Sequence, residues 1–130
     1  MMPHLVFQGS TTLEDIFLGF STLEFREKGT VGKALECFIN KEKSVLLIRC
    51  LLVERGLSTN FLLKIAHGSG ATNPEGEVEF TLGLETIGSP ERTEGLKRFL
   101  GYCCWVLMQT DPQLKVLRGN IHEYVKGMES

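Results

Sequence analysis

The sequence predicts an α+β fold: a three-stranded antiparallel meander over residues 44–87 joined by an N-terminal strand, packed by a long helix over 90–109 and by shorter helices. Three observations predict it. Val78, Phe80, Leu82 and Leu84 alternate with Glu77, Glu79, Thr81, Gly83 and Glu85, the period of a strand with one face in the core and one in water. Upstream, Ser44 to Glu54 (SVLLIRCLLVE) and Thr59 to His67 (TNFLLKIAH) have strand length and β-branched or aromatic content, and turn residues separate them. Finally, Leu96, Phe99, Leu100, Cys103 and Leu107 recur at helical spacing behind Ser89-Pro90, a preferred N-cap followed by the residue best suited to the first helical position.

Taken in order, His4 to Gln8 is short and apolar before Gly9, which suggests a strand. Thr11-x-x-Glu14 has the spacing of a capping box, and Leu13, Ile16, Phe17 and Phe20 follow at the spacing of a core-facing helix. Arg26 to Gly32 (REKGTVG) is polar and glycine-containing and reads as a loop. Over Thr30 to Asn40, Val31, Ala34, Leu35, Phe38 and Ile39 fit a helix better than a strand, although ECFIN before Lys41 is compatible with a strand. Turn signals lie at Arg55 to Ser58 and at Gly68 to Gly76.

In the long helix, Glu91 and Glu94 place negative charge where the helix dipole favours it. Tyr102, Trp105, Val106 and Met108 make its last turns apolar nearly all the way round, so it is expected to be buried on more than one side. The tail repeats the cap-then-proline order at Asp111-Pro112. There Leu114, Leu117, Ile121, Tyr124 and Met128 favour a helix over 113–126, with LKVLR as an alternative edge strand.

With 130 residues and a 42% hydrophobic fraction the chain suffices for one core, so residues 1–130 are read as a single α+β domain. A formal charge of -2 gives no electrostatic reason to expect nucleic acid or an anionic membrane as partner. MMPHLVFQGS lacks the charged and apolar regions of a signal peptide, and the longest apolar window, Val45 to Val53, is cut by Arg49. A cytoplasmic protein is therefore expected. Cys37, Cys50, Cys103 and Cys104 show no ligand spacing and sit in apolar segments, as reduced buried thiols do.

No catalytic residue, metal ligand or cofactor is expected. His122-Glu123 begins a zinc-binding pattern, but Lys126 stands where the second histidine is needed. Cys103 and Cys104 lie mid-helix, away from the electropositive setting that stabilises a thiolate. The glycine-rich stretch 67–76 connects strand to strand and lacks the lysine of a phosphate loop, which leaves His67 as a candidate ligand contact at a strand end.

One strand stands apart. The even face of segment 45–53 is wholly apolar, and the odd face carries Val45, Leu47, Leu51 and Val53 around Arg49. A strand apolar on both sides belongs in the interior of a sheet and is covered on both sides, here by the C-terminal segment or by a second copy of the chain. Arg49 must reach solvent or pair with a carboxylate, for which Glu79 and Glu85 on the third meander strand are candidates in a row with Lys64.

The succession of strand, helices, meander and long helix is similar to a reduced helix-grip domain, and the small acidic chain resembles bacterial secretion chaperones. Both likenesses lie in element order and size, and imply a fold rather than a function. The function expected from the residues is that of a non-enzymatic binding or interaction protein, homodimeric through the outer face of the sheet. The alternative is a carrier or sensor of a small apolar ligand held between the long helix and the sheet, with Tyr102, Trp105 and Arg49 orienting it.

Overall fold

Ten elements follow one another in the computed structural model, which describes residues 3–67, 78–84, 93–110 and 114–129. They are β1 (His4–Gly9), α1 (Leu13–Gly19), β2 (Leu23–Glu27), β3 (Thr30–Ile39), β4 (Val45–Glu54), β5 (Leu57–His67), β6 (Val78–Leu84), α2 (Glu94–Thr110), β7 (Lys115–Arg118) and α3 (His122–Glu129). The fold is α+β, but the antiparallel sheet has seven strands instead of a three-stranded meander plus one, in the order β2-β3-β4-β5-β6-β1-β7.

Three segments differ from their sequence expectation. The loop expected over Arg26 to Gly32 shrinks to Lys28-Gly29, a two-residue turn between β2 and β3. Its φ values of 38° and 84° are both positive, as a type I′ hairpin demands. Arg55-Gly56 makes the same turn between β4 and β5, with φ of 52° and 78°. The helix expected over Thr30 to Asn40 is strand β3, because a bulge at Leu35 shifts the register between Ala34 and Glu36. Thr30, Gly32 and Ala34 point inward before the bulge, and Cys37 and Ile39 after it. That three-residue step in a two-residue alternation imitates helical spacing.

In the tail, the helix expected over 113–126 divides into edge strand β7, paired with β1, and α3. Gly119 at φ 145° breaks the backbone between them. The expected caps also shift. Thr12, not Thr11, caps α1 by accepting from the Asp15 amide at 3.1 Å. At α2, Thr93 Oγ1 accepts from the Leu96 amide at 3.1 Å and donates to the Glu54 carboxylate at 2.5 Å. Ser89, Pro90, Glu91, Asp111, Pro112, Glu85 and the loop at 68–76 lie outside the described residues.

All three helices serve one face of the sheet. Leu46, Cys50 and Leu52 of β4, Phe61, Leu63 and Ile65 of β5, Phe80, Leu82 and Leu84 of β6, and Leu5 and Phe7 of β1 form a buried face. Against it α2 lays Leu96, Phe99, Leu100, Cys103 and Cys104. Phe99 is central: its ring lies 6.2 Å from those of Phe25 and Phe61, edge-on to the latter. As its all-round apolarity requires, α2 is covered on a second side by α3, whose Tyr124 backbone approaches Gly101 so closely that a Cβ there would meet it at 2.9 Å. No helix among the described residues is long and apolar enough to cross a membrane.

Candidate functional site

The outer face of the sheet is built by alternation. With the even residues of β4 turned to α2, its odd residues Val45, Leu47, Arg49, Leu51 and Val53 share the opposite face, each half-buried. β4 is the third strand of seven, in the interior as its two apolar sides predict. Its register sets Leu47 between Phe38 and Lys64, Arg49 between Glu36 and Leu62, and Val53 between Val31 and Ser58. Phe38, a large apolar ring, remains 48% exposed. No described element lies over this strip, because β7 is spent on the β1 edge and α3 on α2.

At the middle of the strip Arg49 donates from Nε to Glu36 Oε1 at 2.8 Å, and its Nη2 donates to the same oxygen. Of the expected partners, Glu79 pairs instead with Arg118 at 3.1 Å, and Glu85 lies outside the described residues. Glu36 escaped the sequence reading because its segment looked helical, although across a β3–β4 ladder it stands beside Arg49. With both side chains about half exposed, at 42% and 52%, the pair adds only about 0–1 kcal/mol and acts chiefly to keep the charge satisfied.

The remaining candidates lie elsewhere. Tyr102 and Trp105 stack on each other at 6.3 Å on α2, with Tyr102 against Phe25 at 5.4 Å, on the opposite side of the sheet from Arg49. His67 ends β5 with its ring 5.6 Å from Phe80, beside a groove formed with Thr11, Thr12, Glu14 and Lys43, the last two ion-paired at 2.6 Å. The structure thus brings the five β4 residues together and leaves Tyr102, Trp105 and His67 apart from them.

Beneath α2 is a feature that sequence reasoning located only as a layer. A cavity of about 70 Å³ separates α1 and α2 from the inner sheet face and opens at the α1–β2 connection, by Gly19, Phe20 and Ser21. Ile16, Leu23, Ile48, Leu63, Cys103 and Leu107 are among its walls, and neither Tyr102 nor Trp105 lines it.

The cysteines are held protonated. Burial pushes the Cys37 thiol up to about 11 and those of Cys50 and Cys104 up to about 12, and drives Cys103 well above the ordinary thiol range. Two results are expected. Thiol alkylation of the native protein at neutral pH is slow at every site, and Cys37 is the first to react as pH rises. Because the folded-state values lie above the unfolded one, the thiols contribute stability that is fully present below pH 9.0 and is lost as pH rises toward about 12. Urea midpoints across that window check this; a midpoint indifferent to pH there would contradict it.

The described residues contain no group of three or more His, Cys, Asp or Glu able to hold a metal ion. No protein-family model, no curated protein and no solved structure matches the chain.

Proposed function

We propose that the chain is a non-enzymatic binding protein of the cytoplasm that works as a homodimer, two copies packing their outer sheet faces together about a two-fold axis. The observation that carries this reading is where the C-terminal segment goes. Of the two coverings considered for the apolar strip of β4, the described part of the tail packs on β1 and α2 instead, which favours the other, a second copy. The strip is apolar at Val31, Phe38, Val45, Leu47, Leu51, Val53 and Leu62. A contiguous apolar strip rimmed by polar residues, left bare, is the kind of surface that marks a protein–protein contact.

Self-complementarity favours a twin over a different partner. A two-fold contact brings the same patch against itself, so it tolerates charge best when a cation and its counter-ion both lie in the patch. Arg49 and Glu36 satisfy that condition at its middle, with Lys33 and Lys64 toward the polar margins. The protonated thiols fit a binding role better than thiol-based catalysis.

Light scattering after size exclusion tests the reading. The natural chain is expected to elute as a dimer across the micromolar range. Leu47→Glu, which would bury an unpaired carboxylate in the contact, is expected to weaken association by about 3 kcal/mol, roughly a hundredfold in Kd. Leu57→Glu, at an exposed hairpin end, is expected to leave the dimer intact. A natural chain that stays monomeric, or a Leu47→Glu protein that still dimerises, ends the proposal.

A further inference from the structure

The geometry points to a second, independent binding site: the cavity beneath α2 takes the methyl end of an unbranched aliphatic chain, whose polar head stays outside at the α1–β2 connection. This site lies on the opposite side of the sheet from the dimer face, so neither reading rests on the other.

Chemistry selects an apolar guest. The walls are mostly aliphatic and aromatic carbon with the neutral thiols of Cys37 and Cys103, and none of the lining residues is charged. Water is poorly held on such walls, because a water molecule requires two to four polar partners. The lining residue that carries a side-chain hydroxyl, Ser21, lies at the opening, where a hydroxyl or carboxyl head would emerge beside exposed backbone.

Size selects a chain over a ring. At about 70 Å³ the space is less than half of the ~150 Å³ void that accommodates benzene in another protein, whereas two or three methylenes need a narrower channel. The opening is also apolar beyond the cavity itself. Phe17 and Phe20 are half-buried, and Leu18, next to Gly19 at the mouth, is 70% exposed. A chain longer than the cavity would therefore lie along a greasy lip. That lip can yield, since Leu13 is the one fully buried residue of α1.

The test uses n-alkanols from ethanol to decanol as probes, titrated calorimetrically into the full chain. Affinity is expected to rise roughly fourfold per added methylene, the increment for burying one CH₂, and then to level once cavity and lip are filled. Cyclohexanol is expected to bind at least tenfold more weakly than hexanol. Ala34→Leu, which fills the void from β3, should abolish the chain-length increment while leaving the oligomeric state unchanged; Cys37→Leu fills it from nearer the opening and serves if the first variant does not fold. The proposal is overturned by a flat response to chain length in the natural chain, by cyclohexanol binding as well as hexanol, or by an undiminished increment in a filled variant that folds.

Discussion

Substituting Phe99 by alanine is expected to remove about 3–5 kcal/mol of stability, enough to unfold many domains of this size. The ring is wholly buried and stands where α2 crosses the sheet, between Phe25 and Phe61. It reaches that depth because β3 offers no side chain at the contact: a Cβ on Gly32 would sit 2.3 Å from Phe99 Cδ1. Gly32→Ala alone should therefore cost about 1–3 kcal/mol through overpacking. The two positions must also be coupled. In the double variant Gly32→Ala/Phe99→Leu, the smaller side chain vacates the space that the added methyl needs, so the combined cost should fall short of the sum of the singles. Urea denaturation of the four proteins measures this, and strictly additive costs would mean that the glycine and the ring do not meet.

Gly119→Ala is expected to cost roughly 2–4 kcal/mol, for a different reason. At φ 145° the backbone adopts a conformation that side-chain-bearing residues rarely reach, and the new Cβ would come 2.5 Å from the His4 carbonyl oxygen and 2.7 Å from Leu5 Cα. Both obstacles are backbone, so no rotamer change relieves them. The damage should be local in its first effect, because Gly119 is where β7 and α3 are tied to the N-terminal strand, next to the hydrogen bond from the His4 amide to Asn120 Oδ1 at 2.8 Å. Amide exchange should therefore accelerate in β7, α3 and β1 before it does in β3 to β5. Uniform acceleration across the sheet would show that the tail is not a separable unit.

Much of this architecture was legible in the chain, and the exceptions have physical causes. β4, β5, β6 and α2 carry long, regular patterns, and two-sided apolarity placed β4 in the interior of the sheet. β3 was hidden by one residue: the bulge at Leu35 reverses the inward set from Gly32 and Ala34 to Cys37 and Ile39, and a period search reads the phase jump as helical. β7 was hidden by its brevity, because Leu114 and Leu117 around four residues at a sheet edge, followed by Ile121 just before α3 and Tyr124 on it, reproduce the spacing of one continuous helix. The candidate site inherited these errors. Without β3 as a strand, neither Glu36 nor Phe38 could be placed beside Arg49 and Leu47, and the walls that Ala34 and Cys37 give to the cavity were out of reach.

The place of β1 has a consequence for how the chain is made. This strand leaves the ribosome before β2 to β5, yet both of its ladder neighbours, β6 and β7, are made after them. Leu5, Val6 and Phe7, among the least exposed residues of the finished protein, must therefore wait unpaired while the hairpins from β2 to β5 assemble behind them. A nascent chain with such a segment dangling is vulnerable to strand-to-strand capture by its neighbours on a polysome, so its yield in the cell should depend on holding that short greasy strand apart until β6 and β7 have emerged.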